Sequence, residues 1–120
     1  MGYSNFTYDD QKPEVRRIIE SYAGSGYINE AQRKEIISVL GREKQLCLSS
    51  KKRSTNSAEK PYISSVFLDI LTGLKELESL DLSYTSFASL PFAIDKMIKL
   101  KRLLLCYSNI TALPHNIGGL

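Results

Sequence analysis

No stretch of this sequence stays apolar for the ~20 residues that a bilayer-spanning helix needs, so a helical membrane span is excluded. The segment from Met1 to Lys12 is polar with scattered aromatics and lacks the apolar core of a secretory signal. The expectation is therefore an intracellular, cytoplasmic chain. Cysteine is scarce: Cys47 and Cys106 are too few and too far apart for a disulfide framework or a zinc site. Histidine occurs once, as His115 in Leu113-Pro114-His115-Asn116-Ile117, a turn-type segment in which an exposed side chain is expected. Acidic residues are scattered and form no evident general acid–base pair. The glycines show no phosphate-cradling pattern, because Gly118-Gly119 leads to Leu120 and not to Lys-Ser or Lys-Thr. These absences point away from an enzyme, a cofactor and a resident metal.

What remains is an ordinary globular balance. Of 120 residues, 42% are hydrophobic and 24% charged, which argues against wholesale disorder and fits one domain. The net charge is +3, and much of the excess is local. Lys51, Lys52, Arg53 and Lys60 share one polar stretch with a single acid, Glu59. A nucleic-acid binder spreads its basic residues along a face, so the triplet Lys51-Lys52-Arg53 reads as a solvated loop and no nucleic-acid partner is expected.

The first part, 1–44, reads as a helical pair. Val15, Ile18, Ile19 and Tyr22 keep the i, i+3, i+4, i+7 spacing of one helix face. Pro13 suits a first turn, Asp9 and Asp10 lie near the positive helix start, and Gly24 suits the stop. Asn29 with Gln32 makes a capping-box start for the second helix. Ile36, Ile37, Val39 and Leu40 supply its apolar face before Gly41 ends it. A short loop between two amphipathic helices predicts an antiparallel hairpin. Were Gly26 the central glycine of a calcium loop, the ligand positions would fall on Ser21, Ala23, Ser25, Asn29 and Gln32. None is a carboxylate, so calcium binding is not expected.

The second part, 45–120, repeats every 23 residues: Leu77/Leu100, Leu80/Leu103, Leu82/Leu105, Phe87/Ile110, Leu90/Leu113, Pro91/Pro114, Ile94/Ile117 and Met97/Leu120. A fixed period in this range marks a repeat array. One period earlier, Phe67, Leu71 and Leu74 match Leu90, Ile94 and Met97. Leu46-Cys47-Leu48-Ser49 resembles Leu80-Asp81-Leu82-Ser83, but at an offset of 34. The excess corresponds to the polar stretch Lys51 to Pro61, read here as a surface loop inserted into the first of about three copies. The alternative is a linker between two domains.

Leu77-x-x-Leu80-x-Leu82-x-x-Thr85-x-Phe87-x-x-Leu90-Pro91-x-x-Ile94 resembles the leucine-rich-repeat consensus in its 23-residue form, and the frame recurs from Leu100 to Ile117. Cytoplasmic repeat proteins of bacteria and the repeat regions of plant disease-resistance proteins are similar. The resemblance covers 45–120, most firmly 67–120. It implies an α/β fold: a short solenoid of parallel strands, preceded by the helical hairpin acting as a cap. One departure is that Thr85 and Ser108 stand where the family places Asn, so a hydroxyl must take over part of that residue's bonding to neighbouring turns.

In that arrangement Leu80, Leu82, Leu103 and Leu105 point inward on alternate positions. Pro91 and Pro114 turn the chain, and Ile94, Met97, Ile117 and Leu120 close the core. The other residues face outward on the concave side of the sheet. These are Gln45, Cys47, Ser49 and Ser50, then Ser79, Asp81, Ser83 and Tyr84, then Arg102, Leu104, Cys106 and Tyr107. Tyr84 and Tyr107 should share a row, as should Asp81 and Leu104. Exposed tyrosines beside an arginine and an apolar residue have the composition of a protein-binding hot spot. The residues of β2 and β3 are therefore the candidate partner site.

Cys47 and Cys106, two strands apart, should lie about 10 Å from each other on the strand spacing, beyond the roughly 7 Å that a disulfide tolerates. Two reduced thiols are expected. Cys106 and His115 fall on opposite faces and cannot form a nucleophile pair. The resulting expectation is a protein-binding module; the alternative is the targeting portion of a larger effector enzyme or receptor. Ile110, Leu113, Ile117 and Leu120 would leave an apolar end facing water. Either the chain continues there or that end associates.

Overall fold

The computed structural model describes residues 6–49 and 60–108. Ser50, most of the expected insertion, and the matches at Ile110, Leu113, Pro114, Ile117 and Leu120 lie outside the described residues, as does His115.

Helix α1 runs Pro13–Tyr22 with Pro13 in its first turn, where a missing N–H costs nothing. It buries Val15, Ile18 and Ile19 and leaves Tyr22 half-buried. Helix α2, Glu30–Leu40, opens on a reciprocal cap. The Gln32 N–H donates to Asn29 Oδ1 at 2.9 Å, and the Asn29 N–H donates to Gln32 Oε1 at 3.0 Å. At its end the Gly41 N–H donates to the Ile37 carbonyl. A Cβ on Gly41 would meet that oxygen at 2.5 Å, so only glycine closes the helix this tightly. Of the expected apolar face, Ile36 and Leu40 are buried and Val39 half-buried, whereas Ile37 is exposed. The buried pair is spaced i, i+4, and Ile37 sits about 100° around the helix from Ile36. The two helices are joined across their polar rims by Glu35, which accepts from Arg17 Nη2 at 3.0 Å and from Tyr22 Oη at 2.7 Å.

The remainder is α/β. Strands β1 (Gln45–Cys47), β2 (Ser79–Asp81) and β3 (Arg102–Leu104) form one parallel sheet in that order. Parallel neighbours require crossover connections. Helix α3, Ser65–Leu71, supplies the first, capped by Ser64 Oγ accepting from the Phe67 N–H at 3.2 Å. A 3-10 turn at Phe92–Lys96 following Pro91 supplies the second. The register pairs Leu46 with Leu80 and Leu80 with Leu103, so the three leucines occupy one row. That register joins the offset of 34 to the offset of 23.

Leu46, Leu48, Leu80 and Leu82 project from the sheet into a core closed by Phe67, Leu71, Leu74, Leu77, Phe87, Leu90, Ile94 and Met97. Val15, Ile18, Ile19, Ile36 and Leu40 belong to the same cluster, so the helical pair and the sheet share one interior. Each such side chain contributes roughly 1.5–3 kcal/mol on burial. Leu103 and Leu105 are half-buried. Thr85 Oγ1 donates to the Leu82 carbonyl within its own turn, and Ser108 Oγ reaches back from the next turn to the same oxygen. Ser108 thus ties neighbouring turns together.

Candidate partner-binding face

Alternation along the strands turns Ser79, Asp81, Arg102 and Leu104 away from the leucine row. Ser79 is paired with Arg102 and Asp81 with Leu104. Arg102 and Cys106 are exposed, while Ser79, Asp81 and Leu104 are half-buried. The β2–β3 ladder then continues past the strands: the Leu82 N–H donates to the Leu104 carbonyl at 2.8 Å and the Tyr84 N–H to the Cys106 carbonyl at 2.9 Å.

At the end of this ladder the segments leaving β2 and β3 each turn through a tyrosine in the left-handed region, Tyr84 at φ 60° and Tyr107 at φ 57°. A bulky residue rarely adopts that conformation, and each instance costs of order 1–3 kcal/mol. The cost is met by a local network. Asp81 Oδ1 accepts from the Ser83 N–H at 2.9 Å, and Ser83 Oγ accepts from the Cys106 N–H at 3.1 Å. The two phenol rings stack, with centroids 5.3 Å apart and planes 24° from parallel. Tyr107 is 61% exposed and Tyr84 half-buried. The arrangement presents an aromatic ledge at the end of the β2–β3 ladder, beyond Leu104 and Cys106.

Three residues expected on this open face are not on it. Ser83 is buried, because its hydroxyl is consumed in bonding the neighbouring turn. Cys47 and Ser49 are buried as well. Gln11, itself buried, lies along the outer edge of β1: its Nε2 donates to the Cys47 carbonyl at 3.0 Å and its Oε1 accepts from the Cys47 N–H at 2.9 Å. Cys47 Sγ lies 3.0 Å from Ser49 Oγ and donates to Asp81 Oδ2 at 3.7 Å. The open face therefore belongs to β2 and β3, with Gln45 exposed at the start of β1. Both cysteines are reduced, Cys47 buried and Cys106 exposed.

Sequence reasoning passed over a groove of about 330 Å³ between α1 and the β1–α3 connection, lined by Tyr8, Ile19, Glu20, Ser49, Tyr62 and Ile63 among others. Burial, then the neighbouring Glu20 carboxylate, pushes the Tyr8 hydroxyl up to about 12. The hydrogen bond to Glu35 likewise raises Tyr22, and the bonds from Tyr22 and Arg17 hold Glu35 below its ordinary value. Nothing in the helix or strand periodicity marks Tyr8 or Gln11, since both lie in a short 3-10 segment and its exit.

Among the described residues no group of three or more His, Cys, Asp or Glu is placed to hold a metal ion, and no helix is long and apolar enough to cross a membrane. Comparison with protein-family models, with curated proteins and with solved structures finds no match to this chain.

Proposed function

We propose that this chain is a non-enzymatic protein-binding module of the leucine-rich-repeat type, which engages another protein through the outward face of β2 and β3. The observation that carries this reading is the Tyr84–Tyr107 stack. Two tyrosines are held in a costly backbone conformation at equivalent places, with one ring largely exposed. Strain kept at a surface position marks a place where side-chain direction matters more than local stability. Tyrosine supplies a large, rigid contact area at low entropic cost, and hot spots combine it with arginine. Arg102 and Leu104 lie on the outward face of β3 that leads to the ledge and complete that composition. The repeat reading is supported by the 23-residue frame of apolar positions and by the common row of Leu46, Leu80 and Leu103. In it the helical pair, which shares the sheet's core, is the cap of the first copy.

The test replaces Tyr107 by a photo-crosslinking phenylalanine analogue and, separately, places the same group at exposed Lys99 on the connection after the 3-10 turn. Crosslinking in native extract from position 107 but not from 99, lost when Tyr84→Ala is added, is the expected result. Equal adducts from both positions would move the site off this face.

A further inference from the structure

Among the described residues, the outer edge of β1 is met by a side chain and not by a strand. On its inner edge β1 bonds β2: the Ser79 N–H donates to the Lys44 carbonyl at 3.0 Å and the Leu48 N–H to the Asp81 carbonyl at 2.9 Å. The N–H and C=O of Cys47 point the other way, and the primary amide of Gln11 takes both. The same Nε2 also donates to the Tyr8 carbonyl at 3.2 Å, which locks the amide to its own 3-10 turn. One amide exchanging both bonds with one residue reproduces the hydrogen-bonded pair of an antiparallel ladder, in which opposed residues trade N–H and C=O. A strand edge presenting such groups is a template for pairing with another chain.

We propose that the β1 edge is a strand-acceptor site held shut in cis by Gln11, and that its occupant when opened is the β1 edge of a second copy of this chain. The geometry favours that occupant. A two-fold pairing with Cys47 opposite Cys47 would return to each chain the two bonds that Gln11 now supplies, and a self-complementary contact closes as a dimer without propagating. The strap consists of the turn Tyr8–Asp10 and Gln11, fastened by the amide, by the packing of Tyr8 on the core and by the Lys12–Glu43 ion pair at 3.2 Å. This inference is independent of the tyrosine face.

Sedimentation equilibrium at pH 8 and pH 4 tests it on three versions of the 120-residue chain. Wild type should be monomeric at both values, which controls for every other charged group facing the strap, among them Asp9, Asp10, Lys12, Glu43 and Asp81. Gln11→Glu puts a carboxylate against the Cys47 carbonyl at pH 8 and should shift the mass to twice 13.5 kDa. At pH 4 the protonated acid again both accepts and donates, so the monomer should return. Gln11→Leu can do neither and should be dimeric at both values. Variants that stay monomeric throughout overturn the proposal. So does loss of helical circular dichroism at pH 8 without dimer, because Gln11 would then only hold the fold together.

Discussion

Tyr107 lies on Tyr84 with ring centroids 5.3 Å apart, and both residues are left-handed. The stack and the backbone conformation come together because the two turns are in register and each turn is bonded to the other through Ser83 and Cys106. A left-handed φ on an L-residue is unfavourable wherever it occurs, so the two tyrosines carry a cost that glycine at the same positions would not.

That cost predicts an ordering of variants at Tyr107. Tyr107→Gly and Tyr107→Ala both lose the stack, but only glycine is relieved of the Cβ clash. The glycine variant should be the more stable of the two by about 1 kcal/mol in urea denaturation. Equal midpoints would mean that the turn relaxes out of the left-handed region once the ring is gone.

The cysteines should differ sharply in reactivity. Cys106 is exposed, whereas Cys47 is enclosed by Gln11, Ser49 and Asp81. With an aromatic disulfide reagent, one thiol should react at once and the second only on the timescale of opening or in denaturant. Cys106→Ser should abolish the fast phase. A fast phase surviving that substitution would place Cys47 at the surface.

Glu35 and Tyr8 should contribute to opposite pH limits of stability, with Tyr22 also raised on the alkaline side. Glu35 has its folded pKa lowered by Tyr22 and Arg17 from an ordinary 4.5. Its contribution is present above that ordinary value and is lost as pH falls through the lowered one. Tyr8 is raised from 10.0 to about 12, so its contribution is intact below pH 10 and drains away as pH climbs toward 12. Glu35→Gln should flatten the acid limb of stability against pH, and Tyr8→Phe the alkaline limb. Unchanged limbs in these variants would assign acid and alkaline unfolding to other groups.

Much of the scaffold was legible in the sequence because it is local or strictly periodic. Pro13 and the Asn29–Gln32 pair start their helices through bonds and torsions within one turn, and Gly41 ends α2 through contact with a residue four positions back. The row Leu46, Leu80 and Leu103 follows from matching apolar patterns, since a slip of one residue would turn every leucine outward. Periodicity separates core from surface only on average. It placed Ile37 with the core, although the buried stripe of α2 passes through Ile36 and Leu40 and leaves it exposed.

The sequence by itself determined the row of leucines shared by the strands and where α1 and α2 begin. Tertiary structure decided which part of the opposite sheet face is open. Cys47 and Ser49 alternate correctly for an exposed face, yet both are buried: their side chains meet each other, Cys47 also meets Asp81, and Gln11, 36 residues away, takes up the hydrogen bonds of the strand edge. Tyr84 and Tyr107 have the spacing of neighbours in a row, but their left-handed turns come from bonds made between turns. Contacts between distant segments have no period, and their energies depend on where the folded backbone leaves a donor or acceptor to be met.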